Sequence, residues 1–434
     1  MSAKSVSIKS ASAKFTSAKS VSDTSKSVIS KSAISRSDFA TSTSIRPDSA
    51  KIVSVVRCQD YDPAKVDPAL RRAVGLLGKM GDLVRPGSRV LIKPNLLQPA
   101  PPERHITTHP QVVLSVAALL KEQGCRVVIA ESPGMPPYSQ ASLRRLYRST
   151  GLEEGAREMG VDLNLDTGCT TVPAPNSRLI KRFSVIDPAL EADCIVVVSK
   201  AKTHALTGMT GAAKNLFGLV PGLEKSAFHA RLPHIDDFSH MILDLNLLLK
   251  PRLQIMDAVM ALEGPGPSTG SPRKIGALLA SRDCSAMDVV VSRLMSFDPR
   301  EVSTIRAAVE RGLLRKDFSD VQAVGDSLED LVVPDFRKPP AGEGRLRGGL
   351  RAAFNPLLRS YSLRPQVAED RCTGCGICSQ VCPARAAEVA GGKARVDYSR
   401  CIRCYCCQEM CPARAIDLRR CLWGRMVARV SRER

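Results

Sequence analysis

Long apolar runs are missing from this chain. No stretch of its 434 residues holds 18 consecutive apolar side chains, so no membrane-spanning helix is expected. The N-terminus has no apolar h-region, so no secretory signal is expected either. No flavin, nicotinamide or radical-SAM fingerprint is present. Acidic residues are in short supply: 63 Lys and Arg face 43 Asp and Glu, a net charge of +20. That excess is uneven, because residues 1–50 carry 8 basic and 3 acidic side chains, residues 337–434 carry 20 and 8, and residues 51–336 carry 35 and 32. A nucleic-acid-binding domain should be basic on its folded surface. With the charge confined to the ends, nucleic acid is not an expected partner. An acidic redox protein suits the basic C-terminal end better.

Cysteine is abundant, and nine of the 15 cysteines fall between positions 372 and 411. Such spacing belongs to a metal cluster in a reducing compartment rather than to a secreted disulfide framework. The cytoplasm is the expected location. Two runs follow the pattern C-x2-C-x2-C-x3-C-P: Cys372, Cys375, Cys378, Cys382 with Pro383, and Cys401, Cys404, Cys407, Cys411 with Pro412. Each [4Fe–4S] cube takes four thiolates, and in two-cluster ferredoxins the fourth Cys of each run serves the other cluster. The expected ligand sets are therefore Cys372, Cys375, Cys378 and Cys411, and Cys401, Cys404, Cys407 and Cys382. Two zinc knuckles would not need the Cys-Pro ending twice at matched spacing. "CIRCYCC" has the wrong spacing for a radical-SAM C-x3-C-x2-C site. Cys406 is a ninth thiol beside Cys407 and is read as a spectator, and Cys421 as a small buried hydrophobe.

Residues 1–50 are low-complexity: "SAKSVS" occurs at 2–7 and again at 17–22, and 17 of the 50 residues are serine. This segment cannot bury enough apolar surface to offset its ordering entropy and is expected to be disordered. It is Ser-rich and acid-poor like a transit peptide, but six lysines against two arginines read instead as a drifting tandem expansion. From 51 strand and helix signals alternate. Strands are expected at 51–57, 88–95, 125–132, 161–166, 192–200, 252–259 and 274–283, and helices at 67–84, 109–124, 139–159 and 236–250. Repeated βα units predict an α/β domain with a largely parallel sheet. The expected divisions are a disordered segment 1–50, the α/β domain 51–334, a basic linker 335–365, a cluster-binding domain 366–418 and a basic tail 419–434. The linker's amphipathic "LRAAFNPLLRSY" could meet a surface or pack on a domain.

In open parallel sheets the ligand site lies beyond the carboxyl ends of the strands. Those ends carry Lys93, Asn95, Glu131, Asp166, Lys200 to His204, Asp257 with Glu263, and Asp283. The stretch "AKTHALTGMTGAAKNLFG" at 201–218 adds Lys202, Thr203, His204, Lys214 and Asn215 on an expected strand-to-helix loop. A helix starting near Thr210 would point free N–H groups at an anion. Lys202, His204 and Lys214 are the candidate catalytic residues. Lys93, Asn95, Thr203 and Asn215 are the candidate ligand-binding ones. Histidine suits proton transfer near neutrality. His109 is either a helix-cap residue or a ligand, and His240, within a helix, is read as structural.

"VLIKPNLL", "ITTHP", "AKTHALTGMTGAAKNLFGLVPGLEK" and the cysteine-rich tail together resemble the DUF362 family of iron–sulfur proteins over about 51–418. The tail, residues 366–418, is similar to bacterial-type 2[4Fe–4S] ferredoxins. The resemblance implies an α/β domain followed by a small α+β ferredoxin-like domain holding two [4Fe–4S] clusters; it implies no named substrate. His204, Gly208, Thr210-Gly211 and Lys214 also resemble, in spacing, the lactate racemase family, where a Lys holds a nickel-pincer nucleotide. That likeness implies a tethered cofactor on Lys214. It departs from the family in the Ala-Lys step, and His229 and His234 are candidates for the family's other histidines.

Two functions fit. In one, the clusters exchange electrons with a small anionic substrate, or with an unidentified small-molecule or tethered cofactor, in the α/β domain. This would make the chain an oxidoreductase. In the other, the chain is a non-enzymatic electron carrier or an assembly scaffold docking to a redox partner.

Overall fold

The structure is a computed structural model that describes residues 50–340 and 363–420, all within one compact unit, Pro47–Arg434. Most of the Ser-rich segment, the middle of the linker with its amphipathic stretch, and the tail with Cys421 lie outside the described residues.

Eleven strands lie in the first part of the chain: β1 (Lys51–Arg57), β2 (Arg89–Pro94), β3 (Arg126–Ile129), β4 (Asp162–Leu163), β5 (Cys169–Pro173), β6 (Arg182–Ile186), β7 (Cys194–His204), β8 (Gly208–Thr210), β9 (Leu253–Glu263), β10 (Ser271–Ser281) and β11 (Val321–Gly325). Nine form one sheet in the order β11-β1-β10-β9-β7-β2-β3-β4, with β8 paired to β7. The β9-β7-β2-β3-β4 half is parallel and β10 runs against both its neighbours. The domain is thus α/β with a mostly parallel central sheet. Its strands are continuous β-branched runs because both faces are covered. In β7, Ile195 and Val197 turn to one apolar cluster and Val196 and Val198 to the other. Helices Ile235–Leu249, Cys284–Leu294 and Ser303–Glu310 pack on the first face, and Pro63–Gly75, Pro110–Glu122 and Gln140–Ser149 on the second.

The expected helix 67–84 is two: Pro63–Gly75 and a single turn, Met80–Leu83, and the first starts earlier than expected. Asp62 caps it by accepting from Ala64 N–H, Pro63 sits in its first turn, and it stops at Gly75 before Gly78 in a left-handed turn. The expected helix 139–159 is two helices, because Gly151 is left-handed and restarts the chain. The β5–β6 hairpin, two helices after 283 and β11 carried no clear signal.

The largest correction concerns 201–218. It is not a strand-to-helix loop. β7 runs on to His204, turns, and pairs back on itself through β8, with Lys202 opposite Thr210 and His204 opposite Gly208. The helix near Thr210 is only Ala212–Asn215, and its N–H groups are not free: Ala212 and Ala213 donate to the buried Asp288 carboxylate at 2.6 and 3.3 Å. Gly211 is glycine for that carboxylate, since a Cβ there would lie 2.0 Å from Asp288 Oδ1. Asp283 also moves. It follows the antiparallel β10, so it lies at the opposite sheet edge, where it caps helix Cys284–Leu294 through Ser285 and Ala286 N–H.

The C-terminal part has two small antiparallel pairs, β12 (Arg364–Val367) with β15 (Ile416–Arg419) and β13 (Ala387–Ala390) with β14 (Lys393–Val396), and two one-turn helices, Ile377–Gln380 and Cys406–Glu409.

Gly211→Ala should destabilise the protein by about 1–3 kcal/mol, the usual cost of overpacking, because the Asp288 carboxylate must move. Gly75→Ala meets nothing within 4 Å and should be neutral or gain about 0.5–1 kcal/mol. Chemical denaturation of both variants under anaerobic conditions checks the contrast.

Candidate functional site

The C-terminal module brings its cysteines together in two groups. Cys372, Cys375, Cys378 and Cys411 line one cavity, and Cys382, Cys401, Cys404 and Cys407 line another. Among the described residues no three His, Cys, Asp or Glu side chains converge on a point where one metal ion could bind. Four thiols set around a cavity suit a multi-atom cluster instead. The repeated "CPARA" explains part of the geometry. Arg385 and Arg414 are left-handed, which turns the next N–H back, so Ala386 N donates to Cys382 Sγ at 3.1 Å and Ala415 N to Cys411 Sγ at 3.2 Å. Such N–H donors favour the thiolate.

Two left-handed positions are filled differently in the two runs: by Gly374 and Gly376 in the first, and by their counterparts Arg403 and Tyr405 in the second. Tyr405 carries that strain because its side chain is buried with Ala205 and Leu363 between module and α/β domain. Cys406 takes the place that Ile377 holds in the first run. It turns toward the α/β domain and packs with Val381 and Met410 against Leu97 and Met135. Gln408 donates to Thr269 Oγ1 at 2.6 Å. Gly134 packs so tightly on Met410 that a Cβ would lie 2.8 Å from its sulfur.

Between module and sheet edge lies a cleft with ≈ 740 Å³ of space, part of it open to solvent. Its floor is Asn95, Glu131, Lys202, Thr210, Lys214 and Asn215. Lys225 and His229 line it from helix Glu224–Arg231, and Val381, Cys406, Glu409 and Met410 close it from the module. Val381 and Cys406 are chain neighbours of Cys382 and Cys407. The second cysteine group therefore stands directly behind the cleft wall.

Three lysines at this edge are almost fully buried: Lys93, Lys200 and Lys202. Lysine is rarely buried without a partner. Lys93 donates to Glu131 Oε2 at 2.7 Å and to Pro94 O at 2.5 Å. Lys200 donates to Asp257 Oδ2 at 2.8 Å and Tyr61 Oη at 2.7 Å. Both amines are lowered by burial, which their carboxylates oppose. Lys202 has only neutral acceptors, Asn95 Oδ1 at 2.6 Å and Ile106 O at 2.7 Å. Burial and the neighbouring Lys214 bring its amine down to about 7. Lys225, half-buried and donating to Ser132 Oγ at 3.0 Å, is lowered by burial to about 7 as well. Among the described residues Lys214 has no hydrogen-bond or ion-pair partner. The cleft therefore offers more positive charge than it neutralises.

His204 is completely buried behind Glu409. Its Nδ1 accepts from Leu206 and Thr207 N–H at 3.1 and 3.4 Å, so a neutral ring carries its proton on Nε2. Nε2 lies 3.0 Å from Glu409 Oε1, at ion-pair distance though not aligned as a hydrogen bond. Burial pushes the His204 ring toward neutrality. Burial also opposes the Glu409 charge, but His204 and Lys214 outweigh it and hold the carboxyl at about 2.

Of the residues named from sequence, Asn95, Glu131, Lys202, Lys214, Asn215 and His229 line the cleft together, and His234 does not. Lys93 lies beneath them, held by Glu131. Thr203 faces away, donating to Leu262 O at 3.3 Å. His109 caps helix Pro110–Glu122, accepting from Gln111 N, and stacks on Tyr61 with ring centroids 3.7 Å apart. His240 contacts Glu310. Asp166, Asp257 and Glu263 do not line the cleft. Sequence reasoning missed Glu409, Lys225 and the place of Cys406. Glu409 carried no signal, because nothing in a ferredoxin-like run marks which residue faces a neighbouring domain.

Comparison with known proteins accords with this architecture. Residues 90–293 match the family described as a domain of unknown function, DUF362, and residues 364–412 match the 4Fe-4S dicluster domain. A thylakoid-associated protein of Synechocystis sp. is 33% identical over 290 residues, which span 67% of this chain and 88% of that protein. The chain belongs to the DUF362 family. With its dicluster domain it is an iron–sulfur protein of the electron-transfer kind. Among solved structures, the lactate racemase apoprotein of Thermoanaerobacterium thermosaccharolyticum is similar at 14% identity and a TM-score of 0.34, over 55% of each chain. A Thermotoga maritima protein is similar at 17% identity and a TM-score of 0.29, over 48% of this chain and 53% of that one. The chain thus spans about half the length of the solved structures it matches. Among the described residues no helix is long and apolar enough to cross a membrane.

Cys378→Ala and Cys404→Ala each remove one thiol from a different group of four. Each variant should retain about half the iron and acid-labile sulfide, and the double variant should lose the broad visible absorbance. Full iron and sulfide in the double variant would overturn the two-group arrangement.

Proposed function

We propose that this protein is an oxidoreductase in which two [4Fe–4S] clusters exchange electrons with a small anionic molecule held in the lysine-rich cleft. One observation carries the reading. The wall residues Val381 and Cys406 directly adjoin Cys382 and Cys407, so a cluster on the second cysteine group would lie a side chain away from a bound molecule. In this reading Cys372, Cys375, Cys378 and Cys411 hold the first cluster and Cys382, Cys401, Cys404 and Cys407 the second. The clusters supply single electrons at low potential; the protein supplies position, charge and protons.

Lys214 and Lys225 bind the anionic group. Lys202 is the proton-transfer residue, because an amine near 7 is poised to give or take a proton at neutral pH. Asn95 and Asn215 orient the lysines: Asn95 accepts from Lys202 and donates to Asn215 Oδ1 at 3.1 Å. Lys93 opposes the rise that burial imposes on Glu131 and holds its carboxyl in place. Thr203 is assigned to the β7 scaffold rather than to the ligand. His204 fixes Glu409 and thereby the module against the cleft. The amine of Lys214 is also where a tethered cofactor would attach.

Cys375 is exposed, whereas the four cysteines of the second group are each partly buried. Electrons therefore enter or leave through the first cluster, from an acidic partner protein suited to the basic C-terminal end, in a reducing compartment such as the cytoplasm. The carrier or scaffold reading uses the same entry face and leaves the cleft lysines without a role.

Anion binding should depend on pH with a definite sign. Lys202 and Lys225 carry charge below about 7 and lose it above. Affinity for inorganic sulfate, whose charge is fixed across this range, followed by calorimetry on the anaerobic holoprotein, should fall as the pH is raised from 6 to 8.5. Lys214→Met should weaken binding by about tenfold, the loss of one hydrogen bond to a charged group. Sulfate affinity that is flat with pH and indifferent to Lys214 would contradict the reading.

A further inference from the structure

One atom of the cleft floor has no role in anion binding. Glu131 is 3% exposed. Its Oε2 accepts from Lys93 Nζ at 2.7 Å and from Leu96 N–H at 3.0 Å. Burial pushes this carboxyl up and the Lys93 ammonium opposes the rise; in the carboxylate form that Lys93 favours, Oε1 can only accept. Yet Oε1 is buried with no hydrogen-bond partner. Gly218 leaves room for it, since a Cβ there would lie 2.2 Å from Oε1 and 2.6 Å from Lys93 Nζ. The cleft thus holds two carboxylates among the cations Lys202, Lys214 and Lys225: Glu409, which faces His204, and Glu131, whose Oε1 faces no donor. The Thr210 hydroxyl, 4% exposed on the same floor, is also without a partner. A merely anionic ligand would leave Oε1 unfilled and would be repelled by it.

We propose that Glu131 Oε1 accepts a hydrogen bond from a hydroxyl of the ligand, so that the cleft takes hydroxy acids in preference to the unsubstituted and keto acids of the same length. This rests on the anionic-molecule reading above and narrows it. The carboxylate of the acid meets the lysines; the hydroxyl meets Glu131. The apolar side of the cleft, Leu96, Phe217 and Val381, covers the carbon chain.

Glutarate, 2-hydroxyglutarate and 2-oxoglutarate share one carbon chain and one charge and differ at a single position, which carries hydrogen, a donor or an acceptor. Their affinities for the anaerobic full-length holoprotein, measured by calorimetry at pH 6.5, test the proposal. The hydroxy acid should bind about tenfold or more tightly than the other two, because only it fills the buried acceptor. In Glu131→Gln, Lys93 and Leu96 N–H still hold the oxygen at the Oε2 position, so the amide NH2 takes the place of Oε1. The acceptor becomes a donor, and the preference should pass to 2-oxoglutarate. Equal binding of the three acids by the unaltered protein, lost in Lys214→Met, would overturn the hydroxyl assignment while leaving the anion cleft standing. Failure of all three acids to bind would overturn both. Should the Glu131 variant not fold, the three affinities of the unaltered protein still decide.

Discussion

The arrangement depends on burying lysine amines at the carboxyl edge of a parallel sheet. A buried ammonium is expensive unless it is paired and hydrogen-bonded. Two of the three lysines are paired: Lys93 with Glu131 and Lys200 with Asp257. Lys202 hydrogen-bonds to neutral oxygens only. Its position is enforced by β7, which outruns its pairing with β2, stays paired with β9 to Lys202 and then folds back through β8, placing Thr210 opposite it. The imbalance is local, because residues 51–336 are nearly neutral overall. An anion entering the cleft therefore completes an electrostatic arrangement that the fold leaves open.

The second constraint is the docking of the cysteine-rich module. Helix Cys406–Glu409 is one turn long, yet it and its two flanking residues carry most of the named contacts with the α/β domain: Tyr405 on Ala205, Cys406 at the cleft, Gln408 on Thr269, Glu409 on His204 and Met410 on Gly134. The run that supplies three thiols of the second group is thus the run that meets the sheet edge. Electron delivery and cleft closure share one short segment. This explains why Tyr405 accepts a left-handed backbone where the first run has Gly376.

Much of this was legible in the sequence. The β-branched runs and their helical spacers determine the parallel half of the sheet, since only continuous apolar strands suit a sheet covered on both faces. The cysteine spacing anticipates the two groups of four. Asn95 and Lys202 could be named from the strand-end rule, and Lys214 and Asn215 from the stretch 201–218. Three things were not legible. The stretch 201–218 suggested free N–H groups for an anion, but its Gly211 and Gly218 make room for Asp288 and for the Glu131–Lys93 pair, side chains distant in sequence. The reversal of β10 moved Asp283 to the far edge, and no local pattern separates an antiparallel strand from a parallel one when both are buried. Glu409 and Cys406 gain their places only when two separately recognisable modules meet.

The claim most in need of direct measurement is that the second cluster, not the first, borders the cleft. Electron paramagnetic resonance of the dithionite-reduced holoprotein, recorded with and without bound phosphate, addresses it. The account predicts that phosphate alters one of two cluster signals, and that the altered signal is the one missing from Cys404→Ala. A change confined to the signal missing from Cys378→Ala, or no change at a phosphate concentration shown to saturate the protein, would contradict it.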